Sequence, residues 1–171
     1  MPATATQLNE NQTSLDERVL EWTEKLCASL TENYRMYHRN MISANSQRYE
    51  GEMSDYAKKQ LAEMDNGTAK LMKFVIKNGR KYYKIMQHDF DTFQDRNEYR
   101  EASVHAFVDK KTGQVYKPAS YNAPAKHVRF DMRIINQREI CHNPMLTTWA
   151  GGWLYLKAGI ISYRDNHLPN L

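Results

Sequence analysis

The segment His88-Asp-Phe-Asp91 groups an imidazole with two carboxylates, and its residue types come closest to doing chemistry in this sequence. Asp95 follows four residues after Asp91, and His105 lies further along the chain. Imidazole and carboxylate groups together can hold Mg²⁺ or Mn²⁺ for phosphodiester cleavage. The same spacing is also typical of a solvated loop or a short surface helix. His88, Asp91 and Asp95 are therefore candidate metal ligands of a metal-dependent nuclease, with a solvated polar segment as the alternative.

Complete catalytic motifs are absent from the sequence. There is no Ser/His/Asp order, no Cys/His nucleophile pattern and no Gly-rich nucleotide fingerprint. His127 and His142 are single histidines, for which a surface or packed position is the simpler interpretation. Cys27 and Cys141 are too far apart in sequence for a zinc motif or a disulfide framework. We therefore predict no catalytic residue and no cofactor, and a non-enzymatic protein is favoured.

The segment Asp109-Lys-Lys-Thr-Gly113 raises a second question of chemistry, because a charged loop can hold an ion or simply reverse the chain. A calcium loop needs oxygen ligands at alternate positions, and a phosphate loop needs more glycines and a following helix. A tight turn needs an aspartate that accepts backbone N–H groups and a glycine at positive φ. The sequence therefore predicts a turn between two strands, whose Lys110 and Lys111 are surface charges that can contact an anion.

A β-hairpin is predicted at Asn78-Gly79, between the strand-like residues 71–77 and 80–86. Asn-Gly is the strongest short hairpin signal, since a type I′ turn needs positive φ at both central residues. In that register Lys77 lies opposite Arg80. One face then belongs on a core and carries Met72, Phe74, Ile76, Lys81, Tyr83 and Ile85. The other face carries cations around one aromatic ring: Lys73, Val75, Lys77, Arg80, Tyr82 and Lys84.

The positive charge of the chain is concentrated around this hairpin. The net charge is +4, whereas residues 71–130 alone carry 12 Lys/Arg against 6 Asp/Glu. Lysines and arginines along one face can follow a phosphate backbone, and Tyr82 among them can stack on an unpaired base. An ordinary solvated sheet face and an acidic host protein as partner are the alternatives. The predicted nucleic-acid-binding residues are Lys73, Lys77, Arg80, Tyr82, Lys84, Lys110 and Lys111.

Two helices are predicted before the hairpin. Residues 14–47 form a long amphipathic helix, because Ser14-Leu-Asp-Glu17 is a capping-box pattern and apolar residues follow at steps of three and four. Residues 1–13 are expected to be a disordered leader, and a shorter second helix covers residues 54–64. The apolar stripe of the long helix packs within the domain or pairs with a second copy in a homo-oligomer. This stripe comprises Leu15, Val19, Trp22, Leu26, Leu30, Tyr34, Tyr37 and Met41.

The rest of the chain, residues 70–171, is predicted to be an antiparallel sheet of four or more strands. Residues 128–140 are ambiguous, since their apolar positions suit both a strand and a helix. The segment Trp149-Ala-Gly-Gly-Trp153, followed by the apolar residues 154–163, is interpreted as a turn and a closing strand. Together with the helical part, residues 14–67, this predicts a single α+β domain over residues 14–171. Its order is a long N-terminal amphipathic helix, a shorter helix and then the sheet.

Residues 81–132 have a characteristic order of elements: KYYKI, a polar stretch, and then VHAFVDKKTGQVYKPASYNAPAKHVRFDM. This part resembles small uncharacterised proteins encoded by marine tailed phages, which carry a similar HAFVD-TG-VYKPAS run, an APAK loop and an aromatic residue after VR. The resemblance covers under a third of the chain, and it implies a phage source. It implies no activity and no site residue.

Together these patterns predict a small non-enzymatic, phage-encoded binding protein whose basic hairpin face takes nucleic acid or another anionic partner. The first alternative is a structural or assembly protein of the phage particle, which oligomerises through the long helix or the Trp-rich C-terminal segment. The second is a metal-dependent nuclease. No apolar run approaches the length of a membrane span, and the N-terminus lacks a signal-peptide pattern. We therefore expect no membrane partner and a location in the host cytoplasm, with the virion as the alternative.

Overall fold

The computed structural model describes residues 5–47 and 53–155, and within the first range it describes the side chains of residues 14–45. The strands pair antiparallel in the order β1-β2-β3-β4-β5, which confirms the predicted α+β fold class. Two 3₁₀-helices accompany the main elements, at Phe93–Asp95 and Gly152–Leu154. The main elements are α1 (Ala5–Gln47), α2 (Asp55–Asp65), β1 (Lys73–Asn78), β2 (Tyr82–Asp91), β3 (Glu98–Asp109), β4 (Gln114–Tyr116), β5 (Phe130–Asp131) and α3 (Ile135–Cys141).

Helix α1 is longer than the sequence predicts. It begins at Ala5, so residues 5–13 are helical, which corrects the expectation of a disordered leader there. Ser14 and Glu17 consequently lie inside the helix and do not cap its start. Its 43 residues extend about 65 Å at the usual rise per residue. None of the helices in the described ranges combines the length and the apolar character that crossing a membrane requires.

The predicted apolar stripe of α1 packs on one face of the sheet. Val19, Leu26 and Leu30 are fully buried and belong to the main core. Phe74 of β1 and Ile85 of β2 contribute to the same core from the sheet. Most of the stripe therefore packs within the chain, because burying apolar area against the sheet is the main stabilising contribution to folding.

Helix α2 begins where the sequence predicts it. The Ser54 hydroxyl accepts the N–H of Ala57 at 3.2 Å, which satisfies one of the donors left free at a helix start. Ala57 and Met64 then pack on Ile42 near the C-terminal end of α1, forming a second, smaller core. The two helices thus meet at one end of α1, beyond the main core.

Strands β2 and β3 form a long hairpin of 10 and 12 residues. Residues 88–91 are part of β2, so the acidic segment lies on a strand, which corrects the expectation of a loop or short helix. The pairing is interrupted at two bulges, and at the first of them the partner of Ile85 is Ala106 whereas that of Met86 is Val104. His105 is the extra residue, and a bulge of this kind redirects a side chain.

The turn between β1 and β2 lies two residues later than predicted. The Gly79 N–H donates to the Tyr82 carbonyl oxygen at 3.0 Å, so Arg80 and Lys81 are the central residues of the turn. Asn78 and Gly79 both lack the positive φ that a type I′ turn at their positions requires. The prediction of an Asn-Gly turn is therefore wrong.

The shift of the turn changes the partners of each strand residue but not the face on which it lies. Lys77 is opposite Lys84, not Arg80, and Lys73 is opposite His88. A shift of two residues is one full period of a strand, so the two faces keep their predicted members. The exception is the turn itself, which takes Lys81 away from the predicted core face.

The structure resolves the ambiguity of residues 128–140. Strand β5 comes first and helix α3 follows, so both interpretations hold for different residues. Trp153 and Leu154 are buried in the main core from the 3₁₀-helix Gly152–Leu154, where the closing strand was expected to start. The remainder of that predicted strand, residues 156–163, falls outside the described residues.

Candidate functional site

The segment Asp109–Gly113 is the turn that the sequence predicts. The Asp109 carboxylate accepts the N–H of Lys111 at 2.8 Å and that of Thr112 at 3.2 Å. The Gly113 N–H then donates to the Asp109 carbonyl oxygen at 2.8 Å, and Gly113 has a φ of 71°. Each residue type in the loop has a local structural function. The prediction of a tight turn is confirmed.

This turn lies beside the β1–β2 turn at one end of the sheet. The Lys110 N–H donates to the Lys81 carbonyl oxygen at 3.1 Å. The Lys110 ammonium also donates to the side-chain oxygen of Asn78. Four cations from two distant parts of the sequence are thereby brought to one end of the sheet. We call Arg80, Lys81, Lys110 and Lys111 the paired-turn cations.

Asp109 adds less negative charge to the outer surface than its formal charge suggests. It is 8% exposed, and its carboxylate is directed at backbone N–H groups of its own turn. Arg80, Lys81 and Lys111 are exposed. A hydrogen bond with Tyr82 raises the pKa of Lys81, which therefore stays protonated. The two turns consequently present cations outward and keep their acid inward.

Helix α1 contributes two carboxylates to the surroundings of these turns. The Lys110 ammonium lies 4.9 Å from the centre of the Tyr83 ring. Burial first, and then the charges of Asp16 and Glu24, raise the pKa of Tyr83. The field at the paired turns is therefore positive on the solvent side and partly compensated on the side of α1.

Lys81 is the residue of this group that the sequence did not assign to the surface. A turn centred on residues 78–79 and one centred on residues 80–81 give the same alternation along both strands. Periodicity therefore carries no signal that separates the two positions, and the Asn-Gly preference favoured the wrong one. Placing the turn correctly adds Lys81 to the predicted Arg80, Lys110 and Lys111.

The lysines on the outer sheet face have partners within the chain. Lys77 donates to Glu101 at 2.9 Å and to the Tyr121 hydroxyl at 2.8 Å. Lys84 donates to the Tyr121 carbonyl oxygen at 2.8 Å. The hydrogen bonds that Lys77 donates to Tyr121 and Glu101 raise the pKa of Lys77, and the same bond to Glu101 lowers the pKa of that carboxylate. Lys73 has its ammonium over an aromatic ring.

The loop of residues 117–126 covers part of this sheet face. Its Tyr121 ring lies 4.3 Å from the Lys84 ammonium. Met86 and Phe107, which share the face with Lys84, are 0% exposed. The predicted basic face is therefore not an open, solvated sheet. Its lysines lie at the margin of a small aromatic cluster.

Tyr82 belongs to the same aromatic cluster. Its ring meets Phe107 and Tyr116 edge-to-face, at centroid distances of 5.7 and 6.1 Å. The Lys81 ammonium lies 5.2 Å from the ring centre. Stacking on an unpaired base needs an open ring face. Tyr82 is half-buried and already in contact with two rings and a cation, so its position favours packing.

The candidate metal ligands do not meet in space. His88 and Asp91 are three residues apart in β2, so they point to opposite faces of the sheet. The Asp91 carboxylate contacts Arg96 and Arg100, each at 3.2 Å. A backbone hydrogen bond from residue 93, and then these guanidinium groups, hold its pKa below the usual value. In the described part of the chain, no group of three or more His, Cys, Asp or Glu side chains could hold a metal ion.

His105 is also removed from that segment. It is 9% exposed, and the Trp153 indole N–H donates to its Nε2 at 3.1 Å. Its ring meets the Phe74 ring edge-on at 4.9 Å. Burial lowers the pKa of His105 to about 4. The imidazole is therefore a neutral core residue at neutral pH.

The fold and the paired-turn cations define a small α+β protein with one basic end. The chain belongs to a family of unknown function, DUF7717, whose pattern matches residues 4–156. No curated protein and no solved structure matches it.

Proposed function

We propose that the protein is a non-enzymatic nucleic-acid-binding protein that contacts phosphates with the paired-turn cations. One observation carries the proposal. The hydrogen bond between the Lys110 N–H and the Lys81 carbonyl oxygen, at 3.1 Å, holds two cationic turns side by side. The acidic residue of these turns, Asp109, accepts backbone hydrogen bonds within its own loop. A fixed group of exposed cations is what a phosphate backbone selects.

Phosphate contact, and not base reading, is the mode that this geometry supports. The paired-turn cations lie on hairpin ends, and Tyr82, the ring nearest in sequence, is packed against Phe107 and Tyr116. Contacts to phosphate fix position and carry no sequence information, whereas specificity needs base edges or stacking. We therefore expect binding of single and double strands with little sequence preference.

The biological setting is part of the proposal. The resemblance of residues 81–132 to small proteins of marine tailed phages supports a phage source. A phage-encoded protein of this kind acts in the host cytoplasm, where the nucleic acid of the phage is replicated and packaged. A virion location is the alternative, and it accompanies the assembly function considered below.

The proposal is tested by measuring binding of fluorescein-labelled single-stranded and duplex DNA by anisotropy over a series of salt concentrations. We expect affinity to fall steeply with salt, because each neutralised phosphate releases counterions. The double variant Arg80→Ala/Lys111→Ala removes two paired-turn cations. It should flatten the log–log salt slope by about one unit per lost contact.

A matched control removes the same charge from another surface. Lys58→Ala/Lys59→Ala takes two cations from helix α2, away from the paired turns, and should leave the slope unchanged. Lys73→Ala/Lys84→Ala tests the outer sheet face, which the loop of residues 117–126 partly covers, and should have a smaller effect than the paired-turn variant. No DNA binding at low salt, or equal loss in the α2 control, would reject the paired-turn interface.

Self-assembly through α1 is the second candidate function. Tyr37 and Met41 lie one helical turn apart and are 45% and 43% exposed, although they continue the buried stripe. Trp149 and Trp153, the other predicted assembly residues, pack within the chain. Light scattering on the same samples separates the two functions. A concentration-dependent oligomer without DNA affinity would support assembly in place of nucleic-acid binding.

A further inference from the structure

A cleft of about 910 Å³ opens at the end of the molecule where α1, α2 and strand β2 meet. Its lining includes Tyr34 of α1, Glu63 of α2 and Asp89 of β2. Trp149, from the C-terminal part of the described chain, also lines the cleft. Clefts of this size accept small organic ligands. It lies far from the paired turns, because Asp89 is seven residues along β2 from Tyr82, about 23 Å at the rise of a strand.

Two aromatic rings, those of Tyr34 and Trp149, lie in the wall of this cleft, and contacts within the chain hold them in place. The Trp149 ring meets Tyr34 edge-to-face at 5.1 Å. The Trp149 backbone N–H donates to the Asn33 side-chain oxygen at 2.9 Å. Phe90, the neighbour of Asp89 in β2, also contributes to the lining. Rings held in this way are a preformed surface, and the face of an aromatic ring attracts cations.

The carboxylate of Asp89 lies in the cleft without a cationic partner. It accepts a hydrogen bond from the Gln87 side-chain amide at 3.1 Å, and in the described ranges no cation lies within ion-pair distance of it. Burial first, and then the charge of Asp89, raise the pKa of Tyr34, so the two groups share one space. Asp89 thus offers an unused negative charge beside an aromatic wall.

The other charged groups of the lining do not cancel this charge. Glu63 adds a second carboxylate, which forms an ion pair of 3.9 Å with Lys59 on the α2 surface. Lys70 is the ammonium of the lining, and it lies 5.8 Å from the centre of the Phe90 ring. The lining therefore carries two carboxylates against one ammonium, which leaves a net negative charge.

We propose that this cleft binds a small organic cation, an ammonium group joined to an apolar or aromatic body. The ammonium lies at Asp89, and the body packs against Tyr34 and Trp149. An anionic ligand is disfavoured because it would meet two carboxylates. A neutral ligand would leave the Asp89 carboxylate partly desolvated without an opposite charge. The inference is independent of nucleic-acid binding, which uses the opposite end of the sheet.

The test compares three ligands of one shape: 2-phenylethylamine, the neutral 2-phenylethanol and the anionic phenylacetate. Titration of each into ¹⁵N-labelled protein gives the affinity and, from the shifted amides, the location. We expect saturable binding of the amine at Asp89, Phe90 and Trp149, at least tenfold tighter than that of the other two. Added salt should weaken the binding of the amine and leave the binding of the alcohol unchanged.

Two isosteric variants complete the test. Asp89→Asn keeps the shape and the bond to Gln87 but removes the charge, and should weaken the amine at least tenfold. Glu98→Gln removes an exposed charge outside the cleft, and should change the affinity less than twofold. Thermal melting confirms that both variants fold. Equal binding of amine and alcohol, parental affinity in Asp89→Asn, or no saturable shift at these residues would each overturn the proposal.

Discussion

At the scale of single residues, burial decides which ionisable side chains are available for function. Asp109 and His105 both look reactive by type, yet both are satisfied inside the chain. The Asp109 carboxylate accepts two backbone N–H groups, and the His105 imidazole accepts the Trp153 indole N–H. A buried polar group without such a partner would cost free energy, so these contacts explain why the residues are tolerated in the interior.

His105 makes the stability of the fold depend on pH. Burial lowers its pKa to about 4, below the ordinary value of 6.5. The unfolded chain therefore binds a proton that the folded chain does not, so stability is complete above about pH 6.5 and falls as the pH drops towards 4. We expect the free energy of unfolding to fall by on the order of 2–3 kcal/mol across this window, as measured by urea unfolding at pH 7 and pH 4.5.

The variant His105→Gln isolates this effect. Glutamine keeps an acceptor for the Trp153 indole N–H but does not titrate, so the loss between the two pH values should become smaller. His142, whose pKa is also lowered mainly by burial, remains in both proteins and cancels in the comparison. An unchanged pH dependence in His105→Gln would show that another group controls acid unfolding.

At the scale of the elements, the β1–β2 turn shows how a local preference loses to the pairing of a whole sheet. Asn78-Gly79 suits a type I′ turn, but the turn forms at Arg80 and Lys81. There the Lys81 carbonyl oxygen receives the N–H of Lys110 from the neighbouring turn. Extending the ladder and linking the two hairpins together contribute more than the intrinsic preference of one dipeptide.

The position of this turn predicts a large loss of stability at one of its neighbouring residues and a small loss at the other. A Cβ on Gly79 would lie 2.7 Å from the Tyr82 carbonyl oxygen. Gly79→Ala should therefore destabilise the protein by about 1–3 kcal/mol, since backbone must shift. Asn78→Ala removes only an exposed side-chain contact and should cost less than about 0.5 kcal/mol. Urea unfolding measures both. A cost for Asn78→Ala as large as that for Gly79→Ala would favour the Asn-Gly turn.

At the scale of the whole molecule, α1 connects the parts of the fold. Its central residues build the main core with the sheet and with Trp153, and its C-terminal part packs on α2. The Ser29 hydroxyl is also hydrogen-bonded to that of Thr147 at 2.7 Å, a contact that spans 118 residues of sequence. A single helix in contact with every layer favours cooperative unfolding.

The two cysteines report on this cooperativity. Cys27 of α1 and Cys141 of α3 are both buried in the main core, and burial raises the pKa of Cys27 to about 12. Both should resist iodoacetamide in the native state, because the thiolate is the reactive form. Mass spectrometry after alkylation at increasing urea should give the same midpoint for both residues. An added thiol in Ser103→Cys, at an exposed strand position, should react without urea. Earlier labelling of Cys141 would show that α3 opens separately.

Some features were determined by local sequence. The apolar stripe of α1, the Ser54 start of α2 and the Asp109–Gly113 turn were predicted and are confirmed. Each depends on residues within a few positions of one another, namely on helical periodicity, a capping hydroxyl and a glycine at positive φ. Such short-range features can be predicted from the sequence, because they do not depend on contacts between residues far apart in the chain.

Other features were decided only by the tertiary structure. The start of α1 at Ala5, the core position of His105, the loop of residues 117–126 over the sheet and the cleft at Asp89 could not be read from local patterns. The last three depend on contacts between residues far apart in sequence, and such contacts leave no periodic pattern in a single sequence. The grouping of Lys81 with Lys110 has the same origin, since two registers that differ by one strand period expose the same faces, and only the link between the turns distinguishes them.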